Sequence, residues 1–159
     1  MTLADFTSLE LIVPRLRGRD EAAVLQELSQ ALQREGRVPD FLPFYHAALN
    51  REFLVSSDLE AGMAFPHARL PGLKELSFAL GRGDRPLVWG AKAGHSVRLI
   101  FLIAVPGTES TQYLSLLSGL ARLAKDGGLM EKLRAAADAA RMFEVLQQIE
   151  LRGSPIRTH

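Results

Sequence analysis

The chain has 159 residues, of which 47% are hydrophobic and 23% charged, which is typical of one folded domain and excludes a disordered or fibrous protein. Nineteen lysines and arginines accompany eighteen aspartates and glutamates, and this near balance disfavours nucleic-acid binding because no broad basic surface is available for a phosphate backbone. Cysteine is absent and neither a secretory signal nor a membrane-spanning run is evident, so we expect a cytoplasmic protein without disulfides, thiolate chemistry or membrane insertion.

The N-terminal part of the chain predicts a short strand followed by two helices. Pro14 cannot donate a hydrogen bond to a neighbouring strand, so the strand is expected at a sheet edge. Apolar residues repeat with helical spacing after Asp20, a good helix cap, and Gly36 is a typical helix stop. A second helix with the same spacing begins at Asp40. The predicted ranges are 12–16 for the strand, and 20–35 and 40–52 for the helices.

The middle of the chain changes to short apolar segments that are broken by glycine, proline and charge, a pattern typical of strands in one sheet. Residues 97–105 are mostly β-branched, leucine or aromatic, which favours a central strand that helices cover on both faces. Polar turns are expected at residues 81–85 and 91–94. The predicted strands are 63–65, 76–80, 87–89 and 97–105.

The C-terminal part predicts one long helix and two shorter ones. Residues 111–125 form the long helix, which the Gly127-Gly128 pair is expected to end. Residues 129–137 form the next helix, and Asp138 caps the last. The residues expected to face the core from the long helix are Tyr113, Leu114, Leu117, Leu120, Ala121 and Ala124.

The chain contains four histidines, and three of them have ordinary interpretations. His46 lies opposite the apolar face of its helix, His95 lies in a predicted turn, and His159 is the terminal residue. His67 is different because it follows a short apolar strand that a proline ends, and Arg69 lies two residues further on. The residue pattern alone still favours a structural role for His67, as a strand-end residue that bonds a nearby carbonyl.

Two motifs change this interpretation. Asn50-Arg51-Glu52 stands at a predicted helix end, and residues 62–67 read Gly-Met-Ala-Phe-Pro-His. Together with the apolar strand that ends at Pro106 and the leucine-spaced helix after it, they resemble the IIA domains of the fructose, mannitol and nitrogen-regulatory class of the bacterial phosphoenolpyruvate-dependent phosphotransferase system. This resemblance covers nearly the whole chain and implies a three-layer α/β/α sandwich with a mixed sheet. We expect residues 1–151 to form this single domain and residues 152–159 to be a flexible tail.

The resemblance implies that the protein is a phosphotransferase component in which His67 accepts a phosphoryl group. The donor would be a small histidine phosphocarrier protein, and the acceptor a IIB domain or a regulatory protein, in sugar uptake or nitrogen-type regulation. A neutral imidazole has a nitrogen lone pair that can attack phosphorus, and Arg51 would offer a planar, permanently charged donor to phosphate oxygens. No cofactor or metal is implied.

Further phosphate-stabilising groups are expected around this histidine. Backbone amides of the loop that contains Ser57, and the start of the helix near Thr111, would favour an anion. Tyr113 stands where much of the family has a second histidine, and a phenol can donate a hydrogen bond to phosphate but cannot be a cation near neutral pH. Asp58 and Glu60 in the same loop would oppose phosphorylation if they point inward.

Partner docking is expected to involve residues around His67, because two phosphorylated histidines must approach each other with water largely excluded. The candidates are Phe65, Arg69, Leu70 and Leu73. An alternative function is a regulatory binding module that keeps the IIA fold without transferring phosphate, and Tyr113 and the acidic loop favour it. An unrelated small-molecule enzyme has no support, because the sequence has neither a metal-spaced histidine pair nor a complete dinucleotide-binding glycine motif.

Overall fold

The computed structural model describes residues 1–54, 58–59, 62–90, 96–108 and 111–152. In this part of the chain a six-stranded mixed sheet is packed between α-helices, which confirms the expected α/β class. The strands are β1 (Ile12–Val13), β2 (Asp58–Leu59), β3 (Met63–Ala64), β4 (His67–Leu70), β5 (Ser77–Val88) and β6 (Ser96–Pro106). The helices are α1 (Glu21–Arg34), α2 (Phe41–Leu54), α3 (Thr111–Lys125), α4 (Gly127–Ala135) and α5 (Ala139–Leu146), with short 3-10 helices at Leu3–Phe6 and Leu9–Leu11.

Strand β6 is the centre of the sheet, as its apolar sequence predicts. It pairs antiparallel with β5 along one edge and parallel with both β3 and β4 along the other. β1 pairs parallel with β5 at the outer edge, where Pro14 predicted it, and β2 lies beyond β3. Met63 lies opposite Leu99 and His67 lies opposite Ile103. β3 and β4 are therefore two segments of one interrupted strand that pairs with β6 in a constant register.

Two hydrophobic cores lie on the two faces of the sheet, because side chains of β6 alternate between them from Leu99 to Val105. Helices α1 and α2 cover one core, and α3, α4 and α5 cover the other. The β6 residues that face α3 to α5 are Leu99, Phe101, Ile103 and Val105, and those that face α1 and α2 are Val97, Ile100, Leu102 and Ala104. This arrangement is the predicted three-layer sandwich.

Two predictions about the strands were wrong. Residues 81–85 are not a turn, because β5 runs through them as one strand with a register shift between Arg82 and Leu87. Pairing with β6 uses backbone groups, so the polar side chains of this segment do not end the strand. The sequence also gave no sign of β2, and it treated His67 as a residue beyond a strand, whereas His67 begins β4. The turn predicted at 91–94 and all but the first residue of the predicted tail 152–159 lie outside the described residues.

The helices agree with prediction in their order, with differences at their ends and faces. The Asp20 side chain accepts a hydrogen bond from the Ala23 amide at 2.8 Å, which confirms the cap of α1. The Gly127-Gly128 pair opens α4 instead of ending α3, since Asp126 caps α4 by accepting from the Leu129 amide. No helix in the described ranges is both long enough and apolar enough to cross a membrane.

Helix α3 has the predicted bounds and most of the predicted face, because Leu120 is buried and Tyr113, Leu117 and Ala124 pack partly buried against the core. Leu114, which was expected to face inward, is 63% exposed, while Leu116 and Leu123 are fully buried. At Gly119 the helix packs closely against the terminal segments, since a Cβ atom there would meet the side-chain ends of Leu151 and Leu3. The helix therefore approaches the N- and C-terminal segments along Gly119 and leaves Leu114 on the surface.

Candidate functional site

The position of His67 follows from the interrupted strand beside β6. Pro66 has no backbone N–H, so β3 and β4 are separated at this point, but its carbonyl still accepts a hydrogen bond from the Ile103 amide at 2.9 Å. His67 therefore starts β4 opposite Ile103, near the carboxyl end of the central strand. The strand alternates, with Ala68 buried in the core under α1 and α2. His67 and Arg69 are two residues apart and share the opposite face.

Tyr113 reaches this face from the first turn of α3. Its ring centroid lies 5.4 Å from that of His67, with an angle of 52° between the ring planes. The guanidinium carbon of Arg69 lies 5.6 Å from the centre of the Tyr113 ring, within cation–π range. Strand alternation and the start of α3 thus assemble His67, Arg69 and Tyr113 into one cluster.

Arg51 contributes a second positive charge to the same cluster. It lies in the last turn of α2, a helix that packs against β4, and its side chain is exposed. Its charge lowers the pKa of both His67 and Tyr113. The structure gives it no hydrogen bond or ion pair with a described residue.

His67 is partly buried, and its two ring nitrogens differ in their surroundings. Nδ1 is inaccessible to solvent and makes no hydrogen bond of ordinary geometry with a described residue. Burial lowers the pKa of His67 below its ordinary value, and the charges of Arg51 and Arg69 lower it further, while the nearby Phe65 carbonyl acts in the opposite direction. The imidazole is therefore neutral at pH 7.

Tyr113 is also partly buried, which raises the pKa of its phenol above the ordinary value, although Arg51 and Arg69 act to lower it. The hydroxyl therefore keeps its proton at neutral pH and can donate a hydrogen bond. A neutral imidazole, a phenol donor and two guanidinium groups form a site that can present a nitrogen lone pair to an electrophile and hold an anion beside it.

Other residues predicted for the site are less well placed or lie outside the described ranges. Ser57 and Glu60 belong to the latter group, and of Asp58 only its place in β2 is described, so their roles stay predictions. Thr111 opens α3 and is exposed. His46 is exposed on α2 as expected. His95 and His159 are not among the described residues.

The predicted docking residues point in different directions. Phe65 packs partly buried against the core under α3 to α5, and Leu70 packs partly buried against the core under α1 and α2. Leu73 is buried in that second core, so it is not available to a partner and this prediction was wrong. Arg69 is exposed but already bonded, with Nη1 donating to the Pro106 carbonyl at 3.2 Å. The docking roles of Phe65, Leu70 and Arg69 stay predictions.

Sequence reasoning missed two features of this site. The contact between Arg69 and Tyr113 joins β4 to α3, and its only sequence signal is the two-residue spacing from His67 to Arg69. The second feature is the exposed side chain of Leu114, which follows Tyr113 in the sequence. Its exposure could have been predicted only if the rotation of α3 about its axis were known.

Comparison with known protein families supports the resemblance noted in the sequence. A family model described as "Phosphoenolpyruvate-dependent sugar phosphotransferase system, EIIA 2" matches residues 5–149. A nitrogen regulatory protein of Bradyrhizobium diazoefficiens is 32% identical over 147 residues, an alignment that covers 92% of this chain and 95% of that protein.

Solved structures show the same similarity in three dimensions. The nitrogen regulatory protein IIA-Ntr from Neisseria meningitidis superposes with a TM-score of 0.77 at 26% identity, covering 91% of this chain and 98% of that one. Enzyme IIA mannitol from Escherichia coli, solved in complex with phosphorylated enzyme IIB mannitol, superposes with a TM-score of 0.74 at 17% identity, covering 87% of this chain and 95% of that one. At this lower identity the likeness is one of fold.

Proposed function

The chain belongs to the EIIA 2 family of the phosphoenolpyruvate-dependent sugar phosphotransferase system, and we therefore propose that it is a phosphohistidine carrier that is phosphorylated on His67. The observation that carries this proposal is a neutral, partly exposed imidazole that lies within the fields of two arginines. Without a proton on the attacking nitrogen, the ring is a nucleophile at neutral pH, and the positive charges favour the dianionic product.

Nε2 is the nitrogen that we propose to carry the phosphoryl group. Nδ1 is inaccessible to solvent, whereas the ring as a whole is partly exposed, so an incoming phosphorus atom can approach only the other side of the ring. In the transfer, the bond from phosphorus to the donor nitrogen breaks as the bond to Nε2 forms. Neither an oxidant nor a metal is required by this exchange.

Arg51 and Tyr113 are the proposed phosphate-stabilising residues, with Ser57 as a further candidate from the sequence. Arg51 is the strongest of these because its exposed guanidinium makes no bond with a described residue and its charge acts on His67. A guanidinium can donate two parallel hydrogen bonds to phosphate oxygens. Tyr113 would add a neutral donor, since its phenol stays protonated at neutral pH.

We propose a small histidine phosphocarrier protein as the donor and a IIB domain or a regulatory protein as the acceptor, with the exchange taking place in the cytoplasm. The solved complex between enzyme IIA mannitol and phosphorylated IIB mannitol supports a IIB-type acceptor. The relative at 32% identity is a nitrogen regulatory protein that is aligned over nearly its whole length, which favours regulation over sugar uptake.

The test is phosphorylation with phosphoenolpyruvate, the first enzyme of the system and its small carrier protein. We expect an acid-labile, alkali-stable phosphate on the wild type and none on His67→Gln. His46→Gln is the matched control, because His46 is an exposed histidine on α2 and should leave labelling unchanged. A wild-type protein that folds but takes no label from competent donors would contradict the carrier function.

Tyr113 favours a second candidate function, a regulatory binding module that receives no phosphate. The residue stands where much of the family has a histidine, and a phenol cannot supply a positive charge to the site near neutral pH. Under this alternative, neither the wild type nor Tyr113→His is labelled. Rapid labelling of Tyr113→His beside a slow wild type would instead show a carrier that the tyrosine retards.

A further inference from the structure

Arg69 is tied into the fold at three places, although its side chain is exposed. The residue itself belongs to β4, Nη1 donates to the Pro106 carbonyl at 3.2 Å and to the Gly107 carbonyl at 3.5 Å, and the guanidinium carbon lies 5.6 Å from the centre of the Tyr113 ring. One side chain therefore connects β4, the end of β6 and the first turn of α3.

The carbonyls that accept from Arg69 are themselves held in place. Pro106 is the last residue of β6 and pairs with Leu70, the last residue of β4. Gly107 lies so close to Pro71 that a Cβ atom there would come within 2.9 Å of the Pro71 Cα. Both carbonyls are thus on a closely packed corner, and the guanidinium that bonds them has a fixed position relative to His67.

We infer that Arg69 is a positioning residue that holds the Tyr113 ring against His67, and not a docking residue for a partner. The cation–π contact places the guanidinium over one side of the tyrosine ring, and the His67 ring lies 5.4 Å away from the same tyrosine. This inference rests on the proposed function of His67, because an oriented phenol matters only where an anion is attached.

Arginine is suited to this role for a geometric reason. A planar guanidinium can stack its face on an aromatic ring while its N–H groups donate to carbonyl oxygens in the guanidinium plane. A lysine ammonium is a compact charge and cannot make these two contacts in this geometry. Arg69→Lys keeps the charge but removes this double contact. It therefore separates positioning from simple electrostatic attraction of the donor protein.

The first test follows transfer from the phosphorylated carrier protein in single turnovers at several carrier concentrations. Arg69→Lys should lower the maximal rate constant by about tenfold, the expected effect of losing one cation–π contact in a partly desolvated site, and leave the half-saturating carrier concentration unchanged. Tyr113→Phe should lower the same rate constant, and adding Arg69→Lys to it should cause little further loss, because both changes act through the phenol.

Lys74→Gln is the matched control for these kinetics, since Lys74 is an exposed cation in the loop that follows β4. It should change neither parameter by more than about twofold, as expected for an exposed surface charge. A higher half-saturating carrier concentration with an unchanged maximal rate in Arg69→Lys would show a docking residue and overturn the inference.

The second test does not depend on phosphate transfer. The chain has two tyrosines, so in a Tyr45→Phe background the ultraviolet titration of phenolate reports Tyr113 alone. Arg69 lowers the pKa of Tyr113, so Arg69→Gln should shift this titration to higher pH and Lys74→Gln should not. An unchanged titration in Arg69→Gln would overturn the inference even in a protein that carries phosphate. If the wild type takes no phosphate, the carrier function fails, but this titration still reports whether the charge of Arg69 lies beside the Tyr113 phenol.

Discussion

Arg82, near the amino end of the central strand, and Arg51, in the cluster near its carboxyl end, are used in opposite ways. Near the amino end of β6, Arg82 of β5 is 8% exposed and lies opposite Leu99. Its guanidinium donates to carbonyls of three residues, which are Pro14, Leu133 and Arg134. These bonds join β5 to the segment after β1 and to the last turn of α4, so this arginine is fully used by the fold.

Near the carboxyl end of β6, the polar groups are left incompletely bonded. Nδ1 of His67 is inaccessible and, although the Phe65 carbonyl is nearby, makes no hydrogen bond of ordinary geometry with a described residue. Arg51 is exposed and has no hydrogen-bond partner among the described residues. Unsatisfied buried groups cost stability, whereas an arginine bonded to carbonyls does not. The difference indicates that the amino end stabilises the fold, and it agrees with the phosphate site that we propose at the carboxyl end. Substitutions at the carboxyl end should therefore slow phosphoryl transfer with little loss of stability, and those at the amino end should lower stability with little effect on transfer.

Arg51→Gln should give the largest effect on transfer. Loss of a charge-assisted hydrogen bond to phosphate is worth about 1.5–3 kcal/mol, which corresponds to a fall of about 10- to 150-fold in the rate of phosphoryl uptake by His67. The free energy of unfolding in urea should change by less than about 0.5 kcal/mol, because the side chain is exposed. Single-turnover labelling and urea titrations measure the two quantities.

Arg34→Gln is a suitable control, since Arg34 is an exposed arginine in the last turn of α1 and lies on the other helix of the same layer. It should leave the labelling rate unchanged. If Arg51→Gln is labelled as fast as the wild type, the carboxyl end does not use this arginine for phosphate, and the contrast between the two ends disappears.

Arg82→Met should show the reverse pattern. Removing the guanidinium leaves buried carbonyls without donors, and the free energy of unfolding should fall by about 1–3 kcal/mol. The rate of phosphoryl uptake should stay within about twofold of the wild type at a temperature where the variant is folded. Arg85→Met is the control, because Arg85 lies in the same irregular part of β5 but is exposed. A stable Arg82→Met protein that transfers slowly would assign a functional role to the amino end.

Much of the fold was predictable because local patterns and the final packing agree. Asp20 caps α1 as predicted, and α3 has the predicted bounds. The polar segment around Arg82 was mistaken for a turn, because no sequence pattern shows that distant carbonyls will bond its guanidinium. Leu114 was placed in the core for a similar reason. Helical spacing shows that α3 is amphipathic, but whether Leu114 lies at the edge of the apolar face or in the core depends on the packing of the folded chain.

Only those residues of the site that lie in a local sequence motif could be predicted from the sequence. His67 and Arg51 were found through family motifs, since each lies in a short recognisable segment. The contact of Arg69 with Tyr113 depends on strand alternation and on the start of α3, so it required the tertiary structure. The same applies to the unbonded Nδ1 atom, because burial is a property of the folded chain.

The smallest expected effect concerns pH and also distinguishes the two ends. Burial, followed by the charge of Arg51, lowers the pKa of His67, so the unfolded chain binds a proton at higher pH than the folded one. The stability contributed by neutral His67 is fully present above about pH 6.5 and decreases as the pH falls toward the lowered pKa.

Urea titrations at neutral and mildly acidic pH should show a smaller loss of unfolding free energy for His67→Gln than for the wild type. Arg82→Met should retain the wild-type pH dependence, because a guanidinium stays protonated over this range. Equal losses in wild type and His67→Gln would mean that the fold does not lower the pKa of this ring.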